Sequence, residues 1–146
     1  MQTLNAEDAF RARLSADQWR AVAPYFTRHE IRAADLLIKQ GDADRTLYLL
    51  GQGSLQVFAD GGATTGLRLS ILRNGAVVGE SGLFGDAPRL ANAEAMTPCI
   101  VFTLRGPRME ELSARLAALA IELYRAAGGL MLTRLRAQIT RQIPFC

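Results

Sequence analysis

The chain has 146 residues, 49% hydrophobic and 21% charged, which suits one globular domain with its own core and excludes a disordered segment. Its formal charge of +3 is small and its basic residues are scattered, so an acidic ligand is allowed but no nucleic-acid stripe is built. One histidine, His29, and two cysteines, Cys99 and Cys146, exclude a histidine-rich metal centre, a zinc-ligand spacing and a disulfide framework; no cofactor and a reducing, cytoplasmic setting are expected.

No basic segment followed by an apolar run opens the chain, so no leader is expected. A first helix is expected over about Asn5 to Arg13. Ser15-Ala16-Asp17-Gln18 has the form of a capping box, and Trp19, Val22, Ala23 and Phe26 follow at helical spacing. Pro24 and Thr27 end this helix near Tyr25. From His29 to Leu104 short apolar runs alternate with turn residues. Runs at Leu36–Ile38, Leu47–Leu50, Leu55–Phe58, Leu67–Leu72, Ala76–Val78, Ala91–Ala95 and Ile100–Leu104 predict short strands about every ten residues. That rhythm predicts an antiparallel β-roll or jelly roll. Asp60-Gly61 and Asn74-Gly75 are dipeptides that favour tight hairpins, and Asp42 and Asp44 read as turn formers.

Pro107 stands where a helix can begin, with Glu110 and Glu111 near its positive end. The helical pattern continues to about Gln138 on two apolar faces. One carries Leu112, Leu116, Leu119, Leu123, Ala126 and Leu130; the other Ile121, Tyr124, Gly128, Met131 and Leu135. A domain core needs one stripe, so the second predicts a partner, its own copy in the first instance. Gly128-Gly129 in mid-helix predicts a bend or a close approach, or else a break. Glu122 and Arg125 interrupt the longest apolar stretch, so no membrane span is expected. The expected fold class is α+β, one domain over 1–146: N-terminal helices in 1–28, a β-roll in 29–105 and C-terminal helices in 107–138.

The most informative stretch is 77–91. Glu80 and Arg89 lie nine residues apart in a segment of small residues, with a helical turn expected from Ser81 to Phe84 and a Gly-Asp-Ala-Pro loop after it. A guanidinium offers a fork of donors that suits a phosphate, and a carboxylate accepts from sugar hydroxyls. Glycines let backbone amides approach an anion closely. The segment therefore has the chemistry of a nucleotide pocket. The structural alternative is an ion pair between Glu80 and Arg89 themselves.

With Gly41-Asp42, Leu47-Tyr48, Gly53 and Gly75 placed around it, the Gly79-Glu80-x-Gly-Leu-Phe…Pro88-Arg89-x-Ala91 cassette resembles the cyclic nucleotide-binding domain family, the fold of the bacterial catabolite activator. The resemblance runs over about Ser15 to Arg136. The Gly-Ala-Val-Val-Gly-Glu wording and the Leu132-Thr133-Arg134-Leu135-Arg136 helix end are most similar to domains appended to bacterial sulfate-permease-type transporters. The resemblance implies a regulatory, non-enzymatic module for a cyclic purine nucleotide, cAMP before cGMP. Glu80 would take the ribose 2′-hydroxyl and Arg89 the cyclic phosphate. The amides of Gly79, Leu90 and Ala91, with the first turn from Ser81, would complete the phosphate cradle, and Gln138 or Thr140 would cap the base. Ligand would draw the C-terminal helix over the pocket, hinged near Ser113 to Ala118.

One departure weighs against binding. The family carries Ser or Thr after the arginine, and here that residue is Leu90. A lost hydrogen bond to a charged group weakens binding by about 1.5–3 kcal/mol, roughly 10- to 150-fold. The leucyl group would also crowd the phosphate, and Asn92, two residues on along a strand, would share its face. Ala34 stands where the family favours glycine. The alternatives are a degenerate fold retained for dimerisation or protein interaction, and a transcriptional regulator lacking its helix-turn-helix domain. Expected partners are the nucleotide, a second copy, and a larger effector or transporter, with neither DNA contact nor membrane insertion.

Overall fold

The computed structural model describes residue 10, residues 12–61 and residues 64–140; side chains at 61, 64–69, 138 and 140 lie outside the description. Among the described residues, three α-helices and eight strands follow in the order α1 (Ala16–Val22), β1 (Thr27–Ile31), β2 (Leu36–Ile38), β3 (Leu47–Gln52), β4 (Leu55–Gly61), β5 (Thr64–Leu72), β6 (Val77–Val78), β7 (Asn92–Ala95), β8 (Cys99–Leu104), α2 (Gly106–Arg115) and α3 (Ala117–Thr140). All strand pairings are antiparallel, in two four-stranded sheets ordered β1-β8-β3-β6 and β2-β7-β4-β5. The expected α+β class with an antiparallel roll is the observed one.

Two apolar clusters hold the fold. Between the sheets lie Ile38, Leu50, Leu55, Leu72, Val78, Ala93, Ala95, Cys99 and Val101. Where the helices meet the roll lie Val22, Leu47, Leu83, Leu104, Met109, Leu112, Leu123, Ala127 and Leu130. Cys99 acts as the small buried apolar group expected of it.

The capping box forms as read. Ser15 Oγ accepts from Gln18 N–H at 3.1 Å and Gln18 Oε1 from Ser15 N–H at 2.8 Å, and a 3-10 turn at Ala23–Tyr25 ends this segment. Of the expected first helix, Phe10, Ala12 and Arg13 are not helical, and residues 1–9 and 11 lie outside the described residues. Strand β1 had no apolar signature because Thr27, Arg28, His29 and Glu30 are all exposed; its register on β8 is what makes it a strand.

Both hairpin dipeptides act otherwise than expected. Asp60 and Gly61 belong to β4, and Gly61 already pairs with Thr64. Asn74-Gly75 joins β5 to β6, which lie in different sheets, so it turns the chain between layers. Asn74 Oδ1 accepts from Gly53 N–H at 2.8 Å, and Gly75 has φ +88°. Ala34 also sits in the left-handed region, at φ +74°, which accounts for the glycine preferred there.

The C-terminal helical pattern divides at Leu116, whose φ −131° and ψ 59° separate α2 from α3. The break falls inside the 113–118 segment marked as a hinge. Helix α3 runs through Gly128-Gly129 without interruption. Its buried stripe is Ala120, Leu123, Ala126, Ala127 and Leu130. The second stripe is offset from the expected one. Tyr124, Gly128 and Met131 are half-buried, with the Tyr124 and Phe84 rings 5.7 Å apart, and the exposed apolar line is Ile121, Leu132, Leu135 and Ile139. No helix among the described residues is long and apolar enough to cross a membrane.

Candidate functional site

The 79–91 segment crosses from β6 in one sheet to β7 in the other. Gly79, at φ +80°, reverses the chain into a 3-10 turn over Glu80–Leu83. A Cβ at Gly79 would lie 2.8 Å from the Thr46 carbonyl and 3.2 Å from Arg89 Nη1, so glycine is required there both for dihedral and for space. A Cβ at Gly82 would lie 2.9 Å from Arg89 Nη2. The two glycines thus leave room for the arginine of their own cassette. In a 3-10 turn the first amides, here those of Glu80 and Ser81, have no acceptor within the turn itself.

Arg89 is fixed by its backbone and by its head. Its N–H donates to Asp42 O and its carbonyl accepts from Gly41 N–H, both at 2.8 Å, which ties the cassette to the turn after β2. Its side chain is buried, with Nη1 donating to Gly79 O at 3.0 Å and Nη2 to Thr46 O at 2.6 Å. Asp44 Oδ2 lies 3.5 Å from Nη2. Arg89 Nε is fully buried and has no acceptor, the single side-chain polar atom of that kind among the described residues. Such a donor is costly to leave unmatched.

Asp44 is a turn former, as read, and also more. Its Oδ1 accepts from Thr46 N–H at 3.1 Å and its Oδ2 from the Tyr48 hydroxyl at 2.9 Å. Burial, and then the Asp44 carboxylate, push the Tyr48 phenol up to about 12.

Glu80 does not pair with Arg89. Its partner is Arg134 on α3: Nη1 donates to Glu80 Oε2 at 2.8 Å and Nη2 to Val77 O at 2.7 Å. The ion pair is largely shielded, the side chains being 22% and 11% exposed. Sequence reasoning missed Arg134 as a site residue. A signal was present: Leu123, Ala127, Leu130 and Arg134 follow one another at 4-3-4 spacing, so the arginine continues the buried stripe.

The other expected residues divide. Gly79 and Gly82 lie against Arg89, Glu80 follows Gly79 in the turn, Ser81 is exposed on the 3-10 turn, and Ala91 is half-buried. Leu90 is 88% exposed, so its side chain does not pack into the interior. Asn92 does not share its face. Residues 90–91 form a bend, strand alternation starts only at Asn92, and Asn92 is buried. Its Oδ1 accepts from Gln40 N–H at 2.8 Å and its Nδ2 donates to Asp60 at 3.0 Å, so it is engaged elsewhere and does not replace the missing hydroxyl. The side chains of Gln138 and Thr140 lie outside the described residues. No His, Cys, Asp and Glu group suited to a metal ion occurs among the described residues.

Residues 28–115 match the family described as the cyclic nucleotide-binding domain. A cAMP-dependent protein kinase regulatory subunit of Debaryomyces hansenii is 32% identical over 91 residues, which is 62% of this chain and 19% of that protein. The chain thus spans about a fifth of the length of this curated relative. A cyclic nucleotide-binding domain from Methylobacillus flagellatus superposes with a TM-score of 0.83 at 22% identity, over 90% of this chain and 74% of that one. The catabolite activator protein of Thermus thermophilus gives a TM-score of 0.77 at 25% identity, over 89% and 59%. By its matched residues, and with the roll, the Gly-Glu turn and the buried arginine in place, this chain belongs to the cyclic nucleotide-binding domain family.

Proposed function

We propose that this chain is a non-enzymatic regulatory module that binds a cyclic purine nucleotide, cAMP before cGMP, and relays its arrival through α3. The observation that carries the reading is Arg89: a buried guanidinium with one N–H lacking any acceptor, beside a glycine-opened turn. An anionic oxygen supplies that acceptor. Arg89 would hold the cyclic phosphate with the amides of Gly79, Ser81, Leu90 and Ala91, and Glu80 would hold the ribose hydroxyl. Arg134 gives the relay a physical form. It reaches from α3 to the carboxylate that a ribose would use, so ligand and helix compete for, or share, one acceptor. The preference for cAMP draws on the curated relative, whose name is that of a cAMP-dependent regulatory subunit.

The break at Leu116 supports a hinge between α2 and α3. The exposed line Ile121, Leu132, Leu135 and Ile139 supports a second copy as partner. Leu132, Leu135 and Ile139 follow at 3-4 spacing, the repeat of a coiled-coil seam. A cytoplasmic setting and a larger effector or transporter as the recipient of the signal complete the proposal, over a single domain spanning 1–146.

Calorimetry with cAMP and cGMP tests the ligand. Binding by the wild type that Arg89→Ala abolishes is the expected result. No heat and no thermal shift at millimolar nucleotide refutes it, and leaves the reading that the missing hydroxyl at Leu90 favours: a fold kept for protein interaction through α3. Sedimentation of the wild type beside Leu132→Glu tests that interface, with a dimer falling to a monomer expected.

A further inference from the structure

The charges of the site are already matched within the protein. Glu80 faces Arg134 at 2.8 Å, and Arg89 faces Asp44 at 3.5 Å with two backbone carbonyls closer still. A phosphate therefore meets no net positive charge but a guanidinium that shares its field with a carboxylate. That carboxylate is itself held in place. The Thr46 amide fixes one oxygen, and the Tyr48 hydroxyl fixes the other, which is also the oxygen nearest Arg89. With the Asp44 side chain about one-third exposed and that of Arg89 only 4% exposed, the carboxylate stands on the solvent side of the pair.

We propose that Asp44 is an affinity-determining residue: an internal counter-anion, held by Tyr48 and Thr46, that competes with the ligand's phosphate for Arg89. The proposal rests on the nucleotide reading above and adds to it a named antagonist of binding. Its physical content is simple. An anionic ligand that approaches Arg89 enters the field of a fixed carboxylate a few ångströms away, and neutralising that carboxylate removes the repulsion while leaving the arginine in position. Asparagine at this position keeps the oxygen that receives the Thr46 amide and a polar partner for the Tyr48 hydroxyl.

The test is cAMP titration of the wild type, Asp44→Asn and Asp44→Ser by calorimetry, at low and at high salt, with thermal melts of the ligand-free proteins alongside. Both variants are expected to bind cAMP about tenfold more tightly than the wild type at low salt, with the gain shrinking as salt is raised. A wild type silent at millimolar cAMP beside a variant that binds supports Asp44 as antagonist and overturns the reading that the natural chain itself responds to cAMP. A wild type that binds while a folded variant binds no more tightly overturns the role of Asp44 and leaves the nucleotide reading standing. Silence from all three proteins at millimolar cAMP overturns both.

Discussion

Replacing Arg134 by methionine asks whether the far end of α3 is fastened to the cassette by charge. Methionine keeps a long apolar stem and removes the bonds of 2.8 Å to Glu80 and 2.7 Å to the Val77 carbonyl, among others. A hydrogen bond involving a charged group contributes about 1.5–3 kcal/mol, and a buried carboxylate left alone adds to the loss. The pair is 22% and 11% exposed, so water screens only part of it. Arg134→Met should therefore destabilise the fold by about 2–3 kcal/mol, a fall in Tm of roughly 5–10 °C for a chain of this size. Glu80→Gln should cost less, about 1–2 kcal/mol, because Val77 still accepts from Arg134. In the double variant the losses overlap, and a coupling of about 1–2 kcal/mol is expected. Urea denaturation of the four proteins at a common m-value measures it. Losses that add to within ~0.3 kcal/mol would mean that the ion pair contributes nothing to stability, and the relay built on it would fail with it.

Two further outcomes follow from the geometry. Ala34 holds φ +74° while its N–H donates to Ala95 O at 2.8 Å. The left-handed conformation costs a non-glycine residue about 1–2 kcal/mol, and the greater freedom of unfolded glycine returns ~0.4–1, so Ala34→Gly should stabilise by about 0.5–1 kcal/mol. Thermal melts check this, and a lower Tm contradicts it. Tyr48 holds its proton more tightly folded than unfolded, since its phenol is pushed up to about 12 by burial and then by Asp44. Its contribution to stability is therefore intact below pH ~10 and is lost as the pH rises through about 12. In an ultraviolet titration one of the three tyrosines should lag near pH 12 and vanish in Tyr48→Phe; removal of an early-titrating component instead would exclude this environment.

The elements that could be read in advance are those whose signal is local. The Ser15–Gln18 box closes within four residues, and the apolar runs of β2 to β8 alternate with turn residues within each run. Gly79, Glu80 and Arg89 were singled out because their residue types share one short segment. What escaped depends on distance. β1 is a strand only because β8 lies beside it, and Asn74-Gly75 is a tight dipeptide whose flanking strands part into different layers. The partners of the two site charges are equally non-local: Arg134 stands 54 residues from Glu80, and Asp44 stands 45 from Arg89. Strand alternation, extended two residues too far, misplaced Asn92, because the bend at 90–91 resets the period.

The cassette's position between the sheets carries a consequence of its own. It is a bridge, with one end in a ladder with β3 and the other in a ladder with β4, and no rung of either sheet passes through its middle. A Cβ at Gly85 would meet nothing, and Asp86, Ala87 and Pro88 are exposed. The span from 85 to 88 can therefore lengthen, shorten or carry a label without shifting the register of a single strand pair. Lineages, and protein engineers, can rewrite this loop while the roll beneath keeps every rung of its ladders.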